Sequence, residues 1–125
     1  MEVLERPGRR AVVKVSREEL VLFEFEMEPR TAGAGPHIHR QHVDSFYVFE
    51  GELEVMVGGE TITARPGELV HAPPNVVHAF ENSSNGRVRF LNLHTPGMRF
   101  DEYIRKMDEG ADVNPEEYDV WEVDE

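Results

Sequence analysis

Pro36-His37-Ile38-His39-Arg40-Gln41-His42-Val43-Asp44-Ser45-Phe46-Tyr47-Val48-Phe49-Glu50-Gly51 is the stretch from which the rest of the chain can be read. In an extended strand alternate side chains share a face, so His37 and His39 aim two imidazoles at one point. Asp44 follows His39 at an odd offset of five residues, so the chain must turn or bulge between Arg40 and Val43. Beyond that break Asp44, Phe46 and Val48 share a face, and Tyr47 and Phe49 point the other way. The β-branched and aromatic content of 43–49 predicts a strand, turned by Glu50-Gly51. Pro73-Pro74-Asn75-Val76-Val77 leads to a further histidine, His78, at the head of a second apolar segment. Three imidazoles and a carboxylate form a donor set suited to a transition metal, with coordination positions left open.

Outward from this stretch the chain is a series of short strands. Met1 to Arg10 is polar and reads as a loose or edge-packed arm. Residues 11–15 and 19–27 are strand candidates, and Pro29 to Pro36, with Gly33 and Gly35, is the loop that delivers the chain to His37. Residues 52–57 and 60–64 flank Gly58-Gly59, a two-residue hairpin signal. Strands over 68–72, 76–81 and 87–93 follow; in the last, either Phe90 with Asn92 or Leu91 with Leu93 faces inward. Many short strands at close spacing imply a sandwich or barrel. After Pro96-Gly97 the period changes: Phe100, Tyr103, Ile104 and Met107 predict an amphipathic helix over 98–108, ended at Gly110. The tail, 111–125, is acidic, and its alternatives are a short helix after Pro115 packed back on the barrel or a solvated segment. Trp121 favours packing.

The two histidine segments resemble the motifs of the cupins, a family of small antiparallel jelly-roll barrels. His37, His39, Asp44 and Gly51 fit the first motif, and Gly67, Pro73, His78 and Asn82 fit the second. The sequence departs from the pattern in three places: Asp44 stands where Glu is commoner, Thr31 where the first motif opens on glycine, and Asn75 where a turn glycine is usual. The resemblance implies an all-β jelly-roll barrel with a short C-terminal helix, in one domain spanning 1–125, its barrel core at about 11–95 and its helix and tail at 97–125. It also implies metal ligands at His37, His39, Asp44 and His78, a quercetinase-like oxygenase or an isomerase as relatives, and a homodimer.

Composition narrows the partners. A length of 125 residues suits one domain with a single core. With 25 acidic against 13 basic side chains the net charge is -12, which argues against nucleic acid and anionic membranes. The chain has no cysteine, so disulfides and thiolate ligands are excluded. No run approaches the length of a membrane span and the charged start lacks a secretion signal, so the expected compartment is the cytoplasm.

The remaining candidates surround the donor set. His42 shares strand parity with Asp44 and is the alternative fourth ligand, or else a group that orients one. Phe46, Val48 and Phe80 are expected to line the metal pocket, His94 to reach substrate near its mouth, and His71 to face a neighbouring sheet or subunit. Asp44 is the carboxylate that can be placed inside the barrel for proton transfer. The cofactor expected is a divalent ion of Mn, Fe, Ni, Cu or Zn. Three functions fit: a metal-dependent dioxygenase-like oxidoreductase acting on a small apolar or aromatic oxygenated compound, a metal-dependent isomerase or lyase, and a non-catalytic small-ligand binder.

Overall fold

The computed structural model describes residues 1–123. Its strands are β1 (Val3–Arg6), β2 (Arg9–Ser16), β3 (Val21–Met27), β4 (Thr31–Ala32), β5 (His37–Ile38), β6 (Val43–Glu50), β7 (Leu53–Val57), β8 (Glu60–Ala64), β9 (Leu69–Ala72), β10 (His78–Asn82), β11 (Val88–Thr95) and β12 (Trp121–Glu122). One helix, α1 (Phe100–Asp108), and a 3₁₀ turn (Pro115–Tyr118) lie between the last two strands. The strands form two facing antiparallel sheets, ordered β1-β2-β3-β11-β6-β9 and β12-β5-β10-β7-β8, with β4 paired to β10. This is the jelly-roll barrel that the family resemblance implies, within the sandwich or barrel that the strand spacing predicts.

Period-two alternation builds the core. Val21, Phe23, Phe25 and Met27 of β3 are buried while the residues between them are half-buried, and Phe46 and Val48 of β6, two strands over in the same sheet, are fully enclosed as well. In β11 the phase resolves to Phe90, Asn92 and His94 inward, with Leu91 and Leu93 half-buried on the other face. The odd offset between His39 and Asp44 has a simple cause: β5 belongs to one sheet and β6 to the other, and residues 39–42 carry the chain across. Asn75 adopts φ 68°, the left-handed backbone that asparagine tolerates where glycine is usual. At Gly51 (φ 80°) a Cβ would meet the Arg87 carbonyl oxygen at 2.2 Å, so this turn excludes any side chain.

Three segments sharpen or shift the sequence reading. The N-terminal arm is a hairpin of β1 and β2 around Pro7-Gly8, because Leu4 is buried and Arg9, also buried, pairs with Asp108 of α1 at 2.6 Å. Helix α1 starts at Phe100, two residues late, since Met98 and Arg99 both take positive φ. The tail packs back, and does so beyond its 3₁₀ turn: Trp121 pairs with Ile38 and Glu122 with His37, adding a strand beside β5. Asp124 and Glu125, the last residues of the acidic tail, lie outside the described residues.

Asn82 closes the second motif from within the core. Fully buried, its amide nitrogen lies 3.2, 3.0 and 2.9 Å from the carbonyls of Met27, Glu28 and Gly86. Its oxygen accepts from the Ser84 amide at 3.1 Å and hydroxyl at 2.7 Å. The side chain ties the end of β3 to the β10–β11 turn and takes no part in the site.

Candidate functional site

The two sheets deliver four donors to one point. His37 and His78 are directly opposed in the β5–β10 register, His39 follows β5, and Asp44 reaches across from β6. One donor atom from each of His37, His39, Asp44 and His78 lies within 4.8 Å of the others, and all four residues are buried. Asp44 Oδ2 is 3.4 Å from His39 Nε2 and 3.1 Å from His78 Nε2. Donors about 2.1 Å from a shared ion stand about 3 Å apart when adjacent and about 4 Å when opposed, so this cluster could bind a metal with small adjustments.

The ring orientations fit the same use. His37 Nδ1–H donates to the Gly35 carbonyl at 2.7 Å, His78 Nδ1–H to Val76 at 3.1 Å, and His39 Nδ1–H to Asp119 at 2.8 Å. Each bond fixes the tautomer that leaves Nε2 as a lone pair. Electrostatics keep His37 and Asp44 short of protons. Burial, with His78 nearby, lowers His37 to about 4. Burial pushes the Asp44 carboxyl up, but His94, His39 and His78 outweigh it and hold Asp44 well below its usual range. His78 moves the other way: burial lowers it, and the hydrogen bond and charge of Asp44 more than compensate, so its value is raised. Protonation of His78 beside Asp44 therefore competes with an ion for the same place.

His39, His42 and His94 form a second buried group, with a different character. His42 lies flat on His39, ring centroids 3.9 Å apart at 26°, and stacked rings send their lone pairs in parallel, not to a common point. Both nitrogens of His42 are also committed: Nδ1–H donates to Asp119 Oδ2 at 2.8 Å, and Nε2 is 3.0 Å from His94 Nδ1. His94 Nε2 is 2.7 Å from Asn92 Oδ1, and Asn92 Nδ2 donates to Asp44 Oδ1 at 2.6 Å. The result is a continuous chain of side chains from Asp119 to Asp44. Asp119 and Asn92 Oδ1 only accept, so their contacts and the one between the rings require three N–H groups. Two neutral imidazoles supply two. Burial lowers His42 to about 4 and His94 well below its usual value, so at neutral pH one of those three contacts lacks its hydrogen.

A cavity of about 570 Å³ opens beside the donors. His37, Asp44, Asn92 and His94 form its polar side, Phe25, Phe80, Phe100 and Val120 its apolar side, and Arg6 and Arg9 lie along the wall. Of the predicted lining residues Phe80 is present, whereas Phe46 and Val48 are not: they share its face but sit deeper. Phe46 packs behind Phe80 with centroids 5.2 Å apart. Phe100 of α1 stacks on His94 at 3.8 Å and 14°, sealing the histidines from solvent. His94 sits in the cavity wall, His71 is exposed on the outer face of β9, and His42 stands outside the four-residue group. Asn92, Phe100 and Asp119 are absent from the sequence-derived site. The open phase of β11 was a signal for Asn92; nothing local distinguishes the other two.

Residues 23–94 match the family described as cupin domain. Over 71 residues the chain is 30% identical to a quercetin 2,3-dioxygenase of Bacillus subtilis (strain 168), a match that spans 57% of this chain and 20% of that protein. Among solved structures, KdgF from Halomonas sp. superposes with a TM-score of 0.69 at 23% identity, covering 77% of this chain and 86% of that one. A RmlC-like cupin from Shewanella frigidimarina NCIMB 400 does so at 0.66 and 21%, covering 77% and 84%.

Proposed function

Because the chain belongs to the cupin family, we propose that His37, His39, Asp44 and His78 hold one divalent ion of Mn, Fe, Ni, Cu or Zn, and that the protein acts as a dioxygenase-like oxidoreductase on a small apolar or aromatic oxygenated compound. The observation that carries this reading is the convergence of four buried donors, two of which, His37 and Asp44, line a cavity whose wall also carries Phe25, Phe80 and Phe100. A bound ion would polarise a substrate oxygen or activate dioxygen. The protein's own part is to aim three imidazole nitrogens at one point, to keep Asp44 ionised, and to exclude water with Phe80 and Phe100. Asp44 is also the carboxylate proposed to accept a substrate proton, since of the other acids on the wall Asp108 is held by Arg9 and Glu122 is exposed. The quercetin dioxygenase relative supports the substrate class.

One observation favours a second reading, a metal-dependent isomerase or lyase. Asn92, His94 and Arg6 add polar groups to the cavity beyond the four donors, as an enolate or polyol would require. Metal-loaded protein mixed with quercetin separates the possibilities. Oxygen uptake matching the loss of quercetin absorbance supports the oxygenase; turnover of a hydroxyketone under argon supports the isomerase; binding without turnover of either leaves a ligand-binding protein. We also propose a homodimer through the outer face of β6 and β9, where Tyr47 and Leu69 are paired in register and exposed. Sedimentation of Leu69→Glu beside the wild type would test it, with a shift to monomer expected.

A further inference from the structure

The three histidines of the donor set are not fixed in the same way. His37 and His78 each donate Nδ1–H to a carbonyl two residues earlier, so their own strands set their tautomers. His39 donates to the carbonyl of Asp119, 80 residues away. The Asp119 side chain grips the crossing that carries His39: Oδ1 accepts from the Arg40 amide at 2.8 Å, and Oδ2 accepts from the Gln41 amide at 2.7 Å and from His42 Nδ1 at 2.8 Å. Asp119 does so at φ 63°, a backbone conformation uncommon outside glycine and asparagine. Trp121 closes the clasp, donating to Asp119 Oδ1 at 3.2 Å and receiving the Arg40 guanidinium 3.5 Å over its ring. Pairing of Trp121 with Ile38 holds this segment against β5.

We infer that the C-terminal segment around Asp119 is a working part of the metal site, with Asp119 the positioning residue that fixes the tautomer and direction of His39. This rests on the metal-binding reading proposed above. Without the Asp119 carboxylate the 40–42 crossing loses three hydrogen bonds at once, the Asp119 carbonyl is no longer held against the His39 ring, and Nε2 is free to turn away from the ion. Loss of such an outer partner weakens metal binding by roughly 10- to 100-fold.

The test uses the full chain and Cu(II) alone. Asp119→Gly keeps the left-handed backbone and the carbonyl that faces His39 but removes both carboxylate oxygens; Asp119→Asn tolerates the same backbone and keeps one oxygen. Affinity is read by competition with a chelator, the number of bound nitrogens by electron paramagnetic resonance, and the fold by urea denaturation of the metal-free proteins. We expect about 10- to 100-fold weaker binding for the glycine variant, a smaller loss for asparagine and an altered nitrogen signature in both, together with a lower urea midpoint, because Arg40, Gln41 and His42 lose their acceptors. Unchanged affinity overturns the inference. So does a lower urea midpoint with the wild-type spectrum, which would mark a purely structural role. If the glycine variant does not fold, the asparagine variant decides by the same criteria. Failure of the wild type to bind Cu(II), or equal binding by His78→Ala, would instead remove the metal reading itself and this inference with it.

Discussion

Acidifying the metal-free protein should weaken it through His37. Its folded value is about 4 against an ordinary 6.5. Between those values the unfolded chain binds a proton that the folded chain refuses, so stability is full above pH 6.5 and falls as pH drops towards 4. The full difference of 2.5 units corresponds to about 3 kcal/mol, of which about 2 kcal/mol is already lost at pH 5. The net charge of -12 shrinks over the same range and relieves repulsion, so the wild type alone is a poor gauge. Urea denaturation of chelator-treated wild type and His37→Gln at pH 7.5 and pH 5 isolates the effect, because glutamine does not titrate. The wild type should lose about 2 kcal/mol more than the variant between the two conditions. An equal pH dependence in both proteins would show that His37 is not kept neutral by burial.

Two further outcomes follow from the geometry. Asn82→Ala should lower stability by about 2–3 kcal/mol, because it strands buried carbonyls at the end of β3 and in the β10–β11 turn; calorimetry should show this with metal content unchanged. Asp44→Asn should weaken metal binding at least as much as His78→Ala. Asn92 Nδ2 already claims one oxygen of residue 44 at 2.6 Å, so an amide there would turn its oxygen to Asn92 and its NH₂ to the ion. Isothermal titration with Zn(II) would check it, and a loss smaller than that of His78→Ala would refute the orientation argument.

Much of this molecule could be read from its sequence because strand alternation is local. The parity of His37 and His39, and the odd step to Asp44, led to the four donors and to a break in the chain, which proved to be the passage from one sheet to the other. Parity gives the face of a residue but not its depth along the barrel. Phe46 and Val48 therefore fell on the correct face and the wrong level. The phase of β11 stayed open because both of its faces carry large apolar residues; Asn92 and His94 mark the inner one only once their contacts with Asp44 and His42 are known. Asp119 and Phe100 reach His39 and His42 from a turn and a helix 58 to 80 positions beyond them, and no local period encodes such a meeting. The N-terminal hairpin was hidden for a similar reason, since Arg9 is buried by a partner, Asp108, at the far end of the chain.

The central claim is that four side chains, from two sheets, grip one ion. Elemental analysis after loading with a single divalent metal and removal of the excess tests it most directly, with wild type, His39→Ala, His78→Ala and His71→Ala measured side by side. The account predicts one ion per chain in the wild type and in His71→Ala, whose histidine is exposed on the outer face, and almost none in the other two. Equal metal content in all four proteins would contradict it.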